Sequence, residues 1–382
     1  MKLFSNDNIV EQKFERGVLS EIHISDIHFG KINPKVQYDI LKNSFINVLY
    51  QIPIIDIIFI NGDLFERKYT TDSEPILYAS KFIQDIRLLA ISKNATVVLL
   101  AGTESHDAGQ LNLFYHYLED PLFDIRIVEN IRFEYIKGSK ILCIPELYNI
   151  DEKIYQFFLY ESGYYDQCVM HGTIEGAIYG NIVNSRGRLF GIDDFTNCKG
   201  PIFSGHVHVA GCYNSHFYYT GSPIRTQFNE ETEKGFIIAY YNLDTREYYT
   251  KMIPIQSFKY NTILLDNINI NDPRELINYI NNIRKEQLID YIRLSYTDNY
   301  PIDTINLIKE YYQKDNTTKF KLINTKSNNI IEETKIDNSY NEYEYLFNDN
   351  LSAYDKLSIY INSQEKSEII TAEDIKKIME ED

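Results

Sequence analysis

Short apolar runs alternate with longer segments in which apolar residues recur at helical spacing. Residues 18–25 and 54–61 read as strands, and 34–51 and 75–91 as the helices that follow them. The βα alternation continues through 96–101. It is followed by 140–145, 167–170 and 201–204, all short, apolar and ended by a polar motif. Segments 217–220 and 235–241 read as paired strands of a second sheet layer. The pattern therefore predicts a layered α/β domain, a β-sandwich core flanked by helices, reaching to about residue 255.

From Tyr260 the pattern changes to strand (262–265), helix (273–284), strand (289–295), helix (302–313) and strand (319–323). A βαβαβ block of this size is a separate small α/β lobe, 256–326. The Asn- and Thr-rich stretch 326–338 reads as a linker. Amphipathic segments around 343–361 and 372–379 make 327–382 a helical appendage. At 382 residues, two domains and an appendage agree with what one hydrophobic core can organise.

Composition narrows the setting. The four Cys residues, at 143, 168, 198 and 212, have no metal-type spacing and read as reduced thiols, not a disulfide framework. No basic stretch followed by an apolar core opens the chain, and the most apolar run, 52–60, is short and carries Pro53 and Asp56. The expectation is a cytoplasmic protein without a membrane span. The net charge of −17 argues against an unaided grip on nucleic acid. Residues 332–382 alone hold 14 acidic and 5 basic side chains, about half of that surplus. Any grip on DNA would come from metals, local basic side chains or a partner.

The chemistry sits at the strand ends. In order these are Asp26 and His28, Asp63 in Asn61-Gly62-Asp63, His106-Asp107, His171-Gly172, and His206 and His208 in Gly205-His206-Val207-His208. Taken singly, Asp-x-His reads as a solvated loop, Gly-Asp as a strand-ending turn, and His171 as a core residue. Gly-His-Val-His directly after a strand favours ligation over packing. All of them in series favour loops that converge on one sheet edge around first-row metals. His23, His116 and His216 carry no such motif and read as structural.

These residues resemble the calcineurin-like metallophosphoesterases, whose pattern is Asp-x-His, Gly-Asp, Gly-Asn-His-Asp or Glu, His and Gly-His-x-His. Within that superfamily the chain is most similar to the SbcD-type nuclease subunits of double-strand-break repair and their bacteriophage recombination-endonuclease relatives. Tyr219-Thr220-Gly221-Ser222-Pro223-Ile224-Arg225, and on through Glu230 to Glu233-Lys234-Gly235-Phe236, is similar to the segment after the last His motif in those nucleases. The resemblance covers residues 18 to about 255 by motif, and 260–325 only as an architecture like the family's capping domain.

The resemblance implies two divalent metal ions, Mn²⁺ by the family's habit. Asp26, His28 and His208 would hold one ion, Asp63 would bridge, and His171 and His206 would hold the other. Such a pair, about 3.5–4 Å apart, polarises a phosphodiester and activates water for in-line attack. His106 would serve as general acid or phosphate-stabilising donor, oriented by Asp107. One motif departs from the pattern: Gly102-Thr103-Glu104-Ser105-His106-Asp107 is two residues longer and lacks the Asn. Ser105 is the expected occupant of that ligand position, with Glu104 or water as alternatives.

The family implies a DNA exo- and endonuclease, a homodimer, and docking of the C-terminal segment on an SbcC-type coiled-coil ATPase. Two other functions stand beside it. One is a phosphodiesterase or phosphatase acting on a non-DNA substrate, and the other a metal-poor scaffold that has lost catalysis through the altered third motif.

Overall fold

The computed structural model describes residues 17–324, except 108, 176–186, 214, 229, 231, 271, 288–289, 298–299 and 315–318. The appendage expected over 327–382 lies outside the described residues. The fold class is α/β. Four parallel strands, β1 (Val18–Ile24), β2 (Ile57–Asn61), β3 (Thr96–Leu100) and β4 (Ile125–Val128), make the main body of a first sheet. On the free side of β1 this sheet continues, antiparallel, through β13 (Gly235–Asn242) and β14 (Tyr248–Pro254). A second six-stranded sheet has β5 (Arg132–Ile136) and β6 (Ser139–Ile144) at one edge and β7 (Gln167–His171) and β10 (Ile202–Gly205) at its centre. At the other edge lie β11 (Gly211–Cys212) and β12 (Phe217–Tyr219). The strands from β6 through β7 and β10 to β12 are parallel. A two-stranded ribbon, β8 (Thr173–Ile174) and β9 (Leu189–Phe190), lies beyond β7 in sequence.

The expectation that 217–220 pairs with 235–241 is corrected. β12 lies beside β10 in the second sheet, and β13 lies beside β1 in the first. Both segments are short and apolar, and that pattern fixes strand identity without naming a neighbour.

Strand periodicity explains why the two sheets stay together. In β2, Ile58 and Ile60 face one side and Ile57 and Phe59 the other. The first pair joins a core with Leu41, Phe45, Phe82 and Ile83 from the flanking helices, Pro34–Leu41 with its π-helical continuation Lys42–Ile46, and Glu74–Lys93. The second pair joins a cluster that also contains Cys143, Val169 and Phe203 of the second sheet. With both faces covered, each central strand is a continuous apolar run. A third cluster, including Leu142, Met170, Phe190 and Phe217, covers the second sheet's other face.

After the two sheets comes a three-stranded parallel sheet of β15 (Tyr260–Leu264), β16 (Tyr291–Tyr296) and β17 (Lys319–Asn324). Helices Pro273–Gln287 and Ile302–Lys314 pack with it around Leu276, Ile280, Ile292, Leu294 and Ile308. Each element stands within a few residues of its predicted position. No helix among the described residues is long and apolar enough to cross a membrane.

Candidate metal centre

Parallel pairing puts the C-terminal ends of the strands on common edges, and the predicted side chains occupy those ends. Asp26 and His28 follow β1, Asp63 follows β2, the 102–107 loop follows β3, His171 closes β7, and His206 and His208 follow β10. The β1 and β2 loops keep pairing past their strands: the Asp26 amide donates to the Gly62 carbonyl and the His28 amide to the Asp63 carbonyl, each at 3.0 Å. The two sheets are tied at the same edge by the His171 ring, whose Nδ1 lies 2.7 Å from the Asn61 carbonyl oxygen.

The backbone there is held in an uncommon conformation. Asp26, His28, Asp63 and His206 have φ of 51°, 51°, 53° and 81°, the left-handed region that side chains other than glycine rarely occupy. Four such residues around one cluster is the distribution expected where surrounding structure enforces strain at a functional site. Gly62 and Gly205 permit the close approach. A Cβ on Gly62 would stand 2.3 Å from His171 Nδ1, and one on Gly205 would stand 2.3 Å from the Asn61 carbonyl oxygen.

Four overlapping groups of ligand-type atoms result. Asp26, His28 and His208 form one and Glu146, His171 and His206 another, and Asp63 joins them through its groups with His28 and His106 and with Asp26 and His171. The Oδ2 atom of Asp63 lies 3.7 Å from His28 Nε2, 3.3 Å from His171 Nε2 and 4.0 Å from His106 Nε2. Asp26 is fixed by the Ser25 hydroxyl and by the His206 amide, which donates to its Oδ1 at 3.0 Å. Asp26, His28, Asp63 and His171 are all buried.

The donor set fits cations. The Asn61 carbonyl can only accept, so His171 Nδ1 carries the proton of the neutral ring. In that tautomer its buried Nε2 turns a lone pair toward the Asp63 carboxylate, 3.3 Å away. Three carboxylates, Asp26, Asp63 and Glu146, are buried within one site, an arrangement that is costly without compensating positive charge. A proton on the His171 ring can supply part of that charge. Burial opposes charging the His171 ring, but Asp63, Asp26 and Glu146 hold its pKa well above the ordinary value. Burial likewise opposes the Asp63 carboxylate, but His171 above all, with His28 and His106, holds its pKa well below the usual range. Burial drives His28 down to about 4, against the opposing influence of Glu66, so its nitrogen is available to a metal at neutral pH.

Sequence reasoning missed Glu146, Glu66, Glu230 and Thr103. Glu146 is buried two residues beyond β6, with Oε2 3.0 Å from His206 Nδ1. Glu66 Oε2 lies 3.1 Å from His28 Nδ1, and Glu230 Oε1 lies 3.4 Å from His208 Nδ1. Carboxylates behind metal-binding imidazoles fix the ring tautomer and raise ligand basicity. Glu230 is itself held by the amides of Thr226 and Gln227 at 2.7 and 3.2 Å, and Lys234 donates to the His208 carbonyl at 2.8 Å. That gives the 219–236 segment a physical role, bracing His208. Glu146 ends an apolar run just as the predicted residues do, and that was the available signal.

Two expectations are corrected. Ser105 is exposed on the short helix Glu104–Asp107. Thr103 from the same loop faces the site instead: its amide donates to Asp63 Oδ1 at 2.6 Å, and its hydroxyl lies 3.2 Å from Asp63 Oδ2. Asp107 does not orient His106. Its buried carboxylate accepts from the amides of Gly102, Phe65 and Leu64 at 2.9, 3.1 and 3.3 Å. The His106 ring is oriented by the Glu66 carbonyl through Nδ1, which leaves Nε2 facing the cluster. His23, expected to be structural, is buried and stacked between Phe59 and Phe203.

No family model matches the chain, and no curated protein matches it. Among solved structures 28 chains match. One of them covers 62% of this chain and 99% of its own length, at 13% identity and a TM-score of 0.40. A likeness that slight bears on neither fold nor function.

Proposed function

We propose that this chain is a metal-dependent phosphodiesterase with two metal positions, and that its substrate is DNA. The observation that carries the reading is Asp63: one carboxylate oxygen lies within 4.0 Å of ring nitrogens from β1, β7 and the 102–107 loop, between two groups of ligand-type atoms. Asp26, His28 and His208 would hold one ion and His171 and His206 the other, with Asp63 shared. When bound, two divalent ions, Mn²⁺ by the family resemblance, supply Lewis acidity and water activation for in-line attack at phosphorus.

The chain's own residues supply the rest. His106 is half-buried, and its Nδ1 is committed to the Glu66 carbonyl, so Nε2 is the atom that can donate to or accept a proton from a substrate oxygen. Glu66 and Glu230 hold the His28 and His208 rings in register. The left-handed backbone at Asp26, His28, Asp63 and His206 sets the ligands before substrate arrives.

The choice of DNA, and of an SbcD-type nuclease, is supported by the 219–236 segment and by the order of the motifs. In this reading the two large sheets and their helices are the layered phosphoesterase core, 1–255, and the three-stranded lobe is the capping domain, 256–326. The chain works as a homodimer in the cytoplasm. Residues 327–382 dock an SbcC-type coiled-coil ATPase, which provides the DNA affinity that a chain of net charge −17 lacks.

The test is degradation of end-labelled duplex DNA by the purified chain with Mn²⁺, beside Asp63→Asn and His106→Ala and a small phosphodiester such as bis(4-nitrophenyl) phosphate. Mn²⁺-dependent DNA cleavage lost in both variants is the expected result. Hydrolysis of the small ester alone, still absent after an SbcC-type partner is added to the DNA reaction, would assign the site to a non-DNA substrate.

A further inference from the structure

The loop that lacks the family's Asn leaves Glu104 and Ser105 exposed, and its Thr103 hydroxyl is engaged by two carboxylates. A side chain from a different strand end is present in its place. Glu146, carried two residues past β6, has a side chain 3% exposed, with Oε2 3.0 Å from His206 Nδ1 and 3.8 Å from His171 Nε2. The buried Nε2 of His171 lies 3.3 Å from Asp63 Oδ2 and 3.8 Å from Glu146 Oε2, facing both carboxylates.

Thr103 links the two carboxylates. Its hydroxyl lies 3.0 Å from Glu146 Oε2 and 3.2 Å from Asp63 Oδ2, and Tyr148 donates to Glu146 Oε1 at 3.2 Å. The longer loop therefore holds the two carboxylates in place and presents no side-chain amide oxygen. Glu146 has no cationic Lys or Arg within ion-pair distance among the described residues; its basic neighbours are the two imidazoles.

We infer that Glu146 is the oxygen ligand of the second metal position, a carboxylate standing where the family uses a neutral amide. The inference rests on the two-metal reading proposed above. Asp63, Glu146, His171 and His206 then form a set with two carboxylates and two imidazoles. The added negative charge strengthens attraction to a divalent cation and, as a hard oxygen, suits Mn²⁺ or Mg²⁺ better than softer ions. The second position of this chain is expected to retain metal without an Asn because it has exchanged an amide dipole for a full charge.

The experiment is calorimetric titration of Mn²⁺ into the metal-stripped full-length chain and into Glu146→Gln, Glu146→Asp and Asp26→Asn, with thermal melts to establish that each is folded. The wild-type chain should take up two Mn²⁺. Glu146→Gln should weaken one of them by about tenfold or more, Asp26→Asn should weaken the other, and Glu146→Asp, which keeps the charge, should retain more affinity than Glu146→Gln. Two Mn²⁺ bound by folded Glu146→Gln with wild-type affinities would overturn the role of Glu146 and leave the metal centre standing. A wild-type chain that binds no Mn²⁺ would overturn both.

Discussion

The Nε2 atoms of His28 and His208 face one another at 3.0 Å, while the Nδ1 atom of each ring faces a carboxylate, Glu66 and Glu230 respectively. With the proton of each ring on Nδ1, toward its carboxylate, both Nε2 atoms would present lone pairs to one point, as two ligands of a single cation do. Replacing Glu66 or Glu230 with Gln should lower metal affinity at this position by about 10–100-fold, with little change in the melting temperature of the metal-free chain for Glu66→Gln and a fall for Glu230→Gln, which also breaks the pair with buried Lys234. Titration of Mn²⁺ checks it, and unchanged affinity in both variants would remove the outer carboxylates from the site.

Gly62→Ala should both destabilise the chain and disable the centre. The new Cβ would meet His171 Nδ1 at 2.3 Å, at a residue whose φ of +89° already disfavours a side chain. Left-handed strain and overpacking together suggest about 2–4 kcal/mol, which denaturant unfolding would read out. A variant as stable as wild type would mean that the β2 loop yields more readily than this packing implies.

Asp107 should prove to be a structural residue. Its carboxylate takes three backbone amides that link the β2 and β3 loops, so Asp107→Ala leaves buried donors unmet and should cost about 2–4 kcal/mol. His106→Ala, by contrast, should leave the unfolding free energy nearly unchanged while cleavage is lost. The pair of melts and activities separates the two roles; equal stability in both variants would return Asp107 to the position of an orienting partner.

Glu21 lies buried between the sheets, where burial pushes its carboxyl up to about 8 despite the bond from Gln167. Between pH 4.5 and about 8 the folded chain therefore holds a proton that the unfolded chain has released, so this group makes stability fall as pH rises through that window. Glu21→Gln removes the dependence. Relative to the variant, wild type should lose melting temperature between pH 5 and pH 8, and parallel curves would show that Glu21 ionises without penalty.

The strand-end rule found residues that the fold brings together because each lies directly after a run of apolar residues, and parallel pairing then gathers those ends without further information. It failed where the deciding contact was not local. Glu146 stands alone after Pro145, with neither a second ligand nor a glycine beside it, and only the pairing of β6 with β7 brings it to His171. Ser105 and Asp107 were chosen for adjacency to His106. One helical turn over Glu104–Asp107 leaves Ser105 at the surface and commits Asp107 to the backbone. The separate partners of β12 and β13 were invisible for a similar reason, since alternation encodes faces and not neighbours.

The most direct measurement is an anomalous difference map at the manganese edge from a crystal of the full chain grown with Mn²⁺. Two peaks should flank the Asp63 carboxylate, one against Asp26, His28 and His208, the other against Glu146, His171 and His206. No peak beside Asp63, or peaks only at surface carboxylates, would contradict a metal centre at this edge of the fold.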